Sequence, residues 1–241
     1  MLAIDAGRED HGHVVEIGPR YTLKADPFSS HSVILEWLAE GHGRRLLDVG
    51  AADGLLSRHL TERGWKVTGI EADPAMAAAG AVYCERMLVA DLNRGVPALD
   101  GLFDTIVCGD VLEHLADPGD VLRTLVAALA RNGDVVLSVP NVAHLWMRLS
   151  LLVGRFEYAD RGILDRTHLR FFTQRTLDEL LVAAGLEPVQ RATTPVPLYQ
   201  VAAARWHGPA LAALHAASAA AARALPRMLG YQFLVRARRR P

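Results

Sequence analysis

The chain lacks an excess of either charge: 26 Lys and Arg stand against 27 Asp and Glu. That balance gives no sign of a nucleic-acid binder, which would present a basic face. Cysteine is nearly absent. Cys84 and Cys108 fall in or beside apolar runs and read as buried free thiols, not as a disulfide framework. The N-terminus, Met1-Leu2-Ala3-Ile4-Asp5, has neither a basic n-region nor an apolar h-region. No secretion signal is visible, and a cytoplasmic protein is expected. Long apolar runs are missing as well. Ala210 to Leu225 is interrupted by His215 and Arg223 and is too short to span a bilayer. The basic run Arg236-Ala237-Arg238-Arg239-Arg240 reads as a solvated tail after the last strand, with a membrane or an acidic partner as the alternative. No internal repeat is visible, and 241 alanine-rich residues suit one α/β domain with a core of ordinary size.

What is present is more specific. Leu46-Leu47-Asp48-Val49-Gly50-Ala51-Ala52-Asp53-Gly54-Leu55-Leu56 reads as a short buried strand, a tight turn of small residues and the first turn of a helix. Small residues let the backbone approach a ligand closely, and the helix start behind them offers unpaired N–H groups. Asp48 and Asp53 would repel a pyrophosphate. They suit a ligand with a cationic or hydroxyl-bearing part, which points away from a dinucleotide and toward S-adenosylmethionine with its ammonium group. About 20 residues further on, Gly69-Ile70-Glu71-Ala72-Asp73 ends a second strand in an acid, placed to hold ribose hydroxyls. Met87-Leu88-Val89-Ala90 then leads into Asp91-Leu92. Phe103 to Gly109 gives a fourth strand with the exit loop Asp110-Val111-Leu112-Glu113-His114, and Asp134 to Asn141 gives a fifth.

The remaining segments organise around these strands. Residues 1–20 look irregular. Ser29 to Glu40 reads as a helix stopped by Gly41 and Gly43, strand one as Arg45–Val49, and the next helix as Gly54 to Arg63. Asp117-Pro118-Gly119-Asp120 starts a helix with a cap, a proline in its first position and an acid at its positive end. Its apolar face is Val121, Leu122, Leu125, Val126 and Leu129, and Asn132-Gly133 is expected to end it. Thr173 caps a last long helix with Leu177, Leu180 and Leu181 inward and Gly185 as its stop. The alternation of strands and helices predicts a mostly parallel sheet covered on both faces.

The ordered motifs Asp48–Gly54, Gly69–Asp73, Asp91-Leu92, Asp110–His114 and Ser138-Val139-Pro140-Asn141 resemble the class I S-adenosylmethionine-dependent methyltransferases, from about Tyr21 to the C-terminus. One departure is Ala52, where that family carries its central glycine. The resemblance implies a Rossmann-like sheet of seven strands with the last inserted antiparallel, strands six and seven being Leu186–Arg191 and Tyr231–Arg236. It divides a single domain, residues 1–241, into an N-terminal lid and helix (1–40), a cofactor-binding core (41–141), a substrate lid loop (142–172) and a helical insertion (203–225). Tyr21 and Lys24 would fold over the cofactor. Gly50, Ala51 and Gly54 would make close backbone contact with it, alongside Asp48 and Asp53. Glu71 and Ala72 would lie against the ribose, Asp91 and Leu92 against the adenine, and Asp110 beside them.

The acceptor side rests on fewer residues. Asp110, Glu113 and His114 share an exit loop, and their spacing looks like that of the ubiquinone-pathway O-methyltransferases and the small-RNA 2′-O-methyltransferases. Those have glutamate where this chain has Asp110. The three side chains would converge on a magnesium-like ion that lowers a hydroxyl's pKa; the plainer reading is that Glu113-His114 caps and packs its loop. His114, His144 and His168 are candidate general bases, because imidazole titrates near neutral pH, or else structural histidines. Arg148, Arg155, Arg161, Arg166 and Arg170 crowd the connection before the last long helix. They read as a lid for a phosphate- or carboxylate-bearing substrate or as a solvated loop with internal ion pairs. Gly154 to Thr173 looks like the bacterial methyltransferases found with glycosyltransferases in surface-polysaccharide pathways, which implies a small-molecule or sugar hydroxyl as acceptor. A homodimer is compatible with this. The rivals are a non-catalytic S-adenosylmethionine-binding module and an NAD-dependent oxidoreductase, the second disfavoured by the acid-rich turn and the missing third glycine.

Overall fold

A computed structural model describes residues 26–240; Tyr21, Lys24 and the 1–20 segment lie outside the described residues. The sheet has seven strands in the order β3-β2-β1-β4-β5-β7-β6: β1 Arg45–Val49, β2 Lys66–Glu71, β3 Arg86–Val89, β4 Phe103–Gly109, β5 Leu129–Pro140, β6 Leu186–Thr194 and β7 Gln232–Arg239. The first five run parallel, and β7 is antiparallel to both β5 and β6, as expected. Helices α1 Ser30–Trp37, α2 Leu55–Glu62, α3 Pro74–Gly80, α4 Pro118–Ala127, α5 Leu145–Leu152, α6 Gln174–Ala183, α7 Leu198–Val201, α8 Pro209–Ala224 and α9 Pro226–Leu229 complete the described chain.

Strand periodicity decides which side each residue serves. Leu47, Val49, Ile106, Cys108, Val135, Leu137 and Val235 face one way, against α4 and α6 through Leu122, Leu125, Leu177 and Leu181. The alternate residues Leu46, Val67, Val107, Val136 and Leu234 face the other way, against α1 and α2 through Ile34, Leu35, Leu56 and Leu60. Burial on both sides explains why the central strands read as continuous apolar runs. Cys108 is buried in this core, its thiol pushed up to about 12 by burial, and both cysteines are free.

Helix caps match the local chemistry. Ser29 accepts from the Ser32 N–H, Asp117 accepts from the Asp120 N–H, and Thr173 accepts from the Thr176 N–H, each satisfying an otherwise orphaned donor. Two expectations fail for reasons that lie outside the local sequence. Asn132-Gly133 does not stop α4. The helix ends at Ala127, where the Ala128 carbonyl accepts from Phe103 N at 2.9 Å. Leu129 therefore joins the sheet beside Phe103, and Asn132-Gly133 falls in the irregular stretch before Asp134 pairs with Thr105. The basic C-terminal run is no solvated tail either. Arg236 and Arg238 lie in β7 and converge on the buried Asp134 carboxylate, and Arg239 donates to the Val126 carbonyl at the end of α4 and the Leu129 carbonyl of β5. Their buried acceptors on β5 and α4 draw these arginines into the fold.

Candidate active site

The carboxyl ends of β1, β2 and β4 meet at the Gly50–Gly54 turn. Gly50 and Ala51 donate to the Ile70 carbonyl at 2.8 and 2.9 Å, which locks the turn onto the end of β2. Gly50, Ala52 and Gly54 all have positive φ, at 72°, 49° and 83°. At Gly50 and Gly54 this is free; at Ala52 the Cβ carries a steric cost. The glycines are also required by space. A Cβ on Gly50 would lie 2.6 Å from Val111 Cγ2, and one on Gly54 would lie 2.8 Å from Gly80 Cα.

Two acids hold this turn. Asp48 is buried at the end of β1 and accepts from Ser57 Oγ at 2.6 Å, tying β1 to the first turns of α2. Burial raises its carboxyl to about 6, against the opposing hydrogen bond from Ser57 and with a smaller push from Glu71. Asp48 therefore supports the turn from below. Glu71 reaches across the gap: Oε2 accepts from Ala52 N at 2.9 Å and Oε1 from Asp73 N at 2.8 Å. It stands at the mouth of the turn, where a ribose was expected. Asp53 is half-buried within the turn and Ala72 is exposed beside Glu71. Asp91 caps the short 3-10 turn Leu92–Arg94 through the Asn93 N–H, and Leu92 is buried beneath it.

Asp110 is built into the frame. It has φ 55°, and its carboxylate accepts from Ser138 Oγ (2.7 Å), Gln232 Nε2 (2.8 Å) and Ser30 Oγ (3.4 Å). It thereby joins β4 to β5, β7 and α1. Those three partners satisfy its oxygens and draw it away from Glu113 and His114. The cluster that does form is Glu113, His114 and His168, whose ligand-type atoms all lie within 4.8 Å of one another. His168 arrives from the β5–α6 connection because Leu169 and Arg170 donate backbone hydrogen bonds to the Glu113 carbonyl at 2.7 and 3.0 Å. The two imidazoles meet edge to face at 4.9 Å. His114 Nδ1 lies 3.2 Å from the Thr167 carbonyl and His168 Nδ1 lies 3.0 Å from the Ile163 carbonyl. A carbonyl only accepts, so each Nδ1 carries a proton, which in a neutral ring leaves the lone pair on Nε2. Burial and the neighbouring His168 lower the His114 pKa, which favours this neutral form. Glu113 is 1% exposed, and neither carboxylate oxygen has a hydrogen-bond partner among the described residues. Burial and the negative Asp110 push its carboxyl well above the usual range.

His144 does not join this cluster. It is the N-cap of α5, its Nδ1 accepting from Trp146 N at 3.2 Å, and it packs edge-on against Tyr231. Three of the five arginines of the connection are also held by the protein: Arg148 by the Ala143 carbonyl, Arg166 by Asp160 and Arg170 by the Ala116 carbonyl. Ser30, Ser138 and Gln232 are the partners that sequence reasoning missed, since nothing local marks a serine or a glutamine as the mate of an acid far along the chain.

Residues 22–191 match the family model described as a methyltransferase domain. The ubiquinone biosynthesis O-methyltransferase of Psychrobacter arcticus is 35% identical over 59% of this chain, and the aligned region is 59% of that protein's length. The corresponding protein of Bordetella avium is 32% identical over 64% of this chain and 68% of its own length. An S-adenosylmethionine-dependent methyltransferase from Mesorhizobium loti shares the fold with a TM-score of 0.59 at 21% identity, over 88% of this chain and 98% of that one. So does the magnesium protoporphyrin IX methyltransferase of Synechocystis with bound S-adenosylhomocysteine, with a TM-score of 0.58 at 17% identity over 88% and 82% of the two chains. The chain belongs to the methyltransferase-domain family and shares the fold of S-adenosylmethionine-dependent methyltransferases.

Proposed function

We propose that this chain transfers the methyl group of S-adenosylmethionine to a hydroxyl oxygen of a small molecule or glycan, in the cytoplasm. The observation that carries this reading is a pair of adjacent sites at the carboxyl ends of the central strands. The Gly50–Gly54 turn with Glu71 forms one, and Glu113, His114 and His168 form the other. In the first, the close backbone approach that the glycines allow and the Glu71 carboxylate suit a ligand with an ammonium group and ribose hydroxyls. In the second, His114 and His168 each hold Nδ1 against a backbone carbonyl, which leaves Nε2 as the atom to take a hydroxyl proton. The sulfonium is already a good leaving group, so the protein's contribution is alignment of the acceptor oxygen and removal of its proton.

The same cluster suits a divalent cation. Glu113 is a buried carboxylate with unpartnered oxygens, and each imidazole donates its far nitrogen to a backbone carbonyl, the outer-shell pattern that orients metal-binding histidines. Glu113, His114 and His168 would hold the ion, with Asp110 committed elsewhere. Two nitrogen donors and one carboxylate suit zinc or manganese better than magnesium, which prefers oxygen ligands. A bound cation would lower the pKa of an acceptor hydroxyl.

The relatives are named for O-methylation of a small molecule, and the chain spans only 59% of the length of the Psychrobacter protein. The Gly154–Thr173 segment favours a sugar or glycolipid acceptor. A phosphate on that acceptor would fall to Arg155 and Arg161, since the other three arginines of the connection are engaged. Transfer of labelled methyl into fractionated bacterial extract tests the reading. Label in a sugar, glycolipid or quinone fraction is the expected result, reduced by a chelator. Cofactor binding without label in any fraction would overturn it in favour of a non-catalytic S-adenosylmethionine-binding module.

A further inference from the structure

Helix α5 and the loop after it present apolar side chains outward. Trp146, Leu149, Leu152 and Val153 are 69%, 50%, 81% and 68% exposed, and of the helix only Met147 is buried. Positions 146, 149 and 153 share one helical face. The surface continues along the chain through Phe156 and Tyr158, whose rings meet edge to face at 5.6 Å. Phe156 in turn meets Phe171 at 5.9 Å, and Phe171 meets His168 at 6.5 Å. An apolar path therefore runs from the solvent face of α5 to the Glu113–His114–His168 cluster. A contiguous exposed patch of this kind marks an interaction site.

Charge decides which occupant fits. From Ala143 to Tyr158 the chain carries Arg148 and Arg155 against the single acid Glu157. A two-fold dimer through this patch would bring together two copies of the same net-positive stretch. An anionic surface has no such penalty, and a tryptophan beside leucines with flanking arginines is the composition of a helix lying in a lipid interface. Among the described residues no helix is long and apolar enough to cross a membrane, so contact is from one side.

We propose that α5 and the following loop dock on an anionic lipid bilayer. Trp146, Leu149, Leu152 and Val153 enter the headgroup boundary, and Arg155 pairs with lipid phosphates. The docked face brings the acceptor cluster next to the membrane surface, where an acceptor on a lipid carrier would be presented. This goes beyond the methyl-transfer reading and does not depend on it.

Cosedimentation of the full chain with vesicles tests the proposal. Phosphatidylcholine vesicles containing phosphatidylglycerol should bring the protein down, phosphatidylcholine alone should do so weakly, and added salt should release it. The combined variant Trp146→Ser, Leu149→Ser, Leu152→Ser should weaken binding by about tenfold or more. Because these side chains are exposed, its melting temperature and S-adenosylhomocysteine affinity should match the parent's. Arg155→Glu should remove the preference for phosphatidylglycerol. The proposal is overturned if the parent protein stays in the supernatant with both vesicle types, or if the triple variant sediments as the parent does. It is also overturned if the parent is a dimer that the triple variant dissociates, which would make a second copy the occupant.

Discussion

The two halves of the candidate site are built over different distances along the chain. On the β1–β2 side, Glu71 holds Ala52 across 19 residues, and the turn is sealed by backbone bonds to Ile70. On the β4 side, His114 meets Thr167 across 53 residues, and His168 is delivered by the β5–α6 connection. The first half is a tight turn that requires glycine and leaves little room to adjust. The second is assembled when a long connection docks on the Glu113 carbonyl. A turn closed by local bonds beside a cluster completed by a distant segment separates a fixed part of the site from a part that can vary with the connection.

Breaking the first half should have the largest effect. Gly54→Ala places a Cβ at φ 83° and 2.8 Å from Gly80 Cα. We expect it to cost about 2–4 kcal/mol of stability and to abolish S-adenosylhomocysteine binding, read by thermal denaturation and calorimetry. Breaking the second half should separate binding from turnover. His168→Ala should leave cofactor affinity unchanged and reduce methyl transfer by about 10²–10⁴-fold. An equal loss of both would merge the two halves into one site.

Asp48 sharpens the comparison through pH. Its folded pKa, about 6, lies above the ordinary 3.8. Full stability is therefore present below about pH 4, where the carboxyl is protonated in both states, and is lost as pH rises through 6 and the buried group ionises. Asp48→Asn, which keeps an acceptor for Ser57, should match the parent near pH 4. At pH 8 it should be more stable by at most about 3 kcal/mol. Denaturant titrations at the two pH values check this, and an equal difference at both would contradict it. The smallest effect should come from Ala52→Gly. It relieves a positive φ of 49° but loosens the unfolded chain, for a net gain of no more than about 1 kcal/mol.

The sheet and the glycine turn were legible because their signals are local. The succession of strands and helices, the Gly50 and Gly54 positions, and the caps Asp117 and Thr173 each follow from residues within one or two turns; the Ser29 cap is found only in the structure. The strand order with β7 inserted came from family resemblance, not from periodicity. The acceptor cluster was half legible. The sequence reading places Asp110 with Glu113 and His114, whereas the structure brings His168 beside those two and holds Asp110 in other hydrogen bonds. The reason is that Ser30, Ser138 and Gln232 compete for Asp110 from three other elements, and no spacing rule reveals long-range competition. His144 looked like a base because of its place after β5, yet the same place makes it a helix cap. The C-terminal arginines looked solvated because their partner, Asp134, lies about a hundred residues upstream.

The most direct test of the central claim is calorimetric titration of S-adenosylhomocysteine into the parent protein and Glu71→Ala. The geometry predicts one binding site per chain in the parent. It predicts an affinity about 10–100-fold weaker in the variant, the worth of a hydrogen bond to a charged group, together with a lower melting temperature from the freed Ala52 and Asp73 N–H groups. No binding to the parent, or equal affinity in both, would contradict the assignment of the Gly50–Gly54 turn and Glu71 as the donor site.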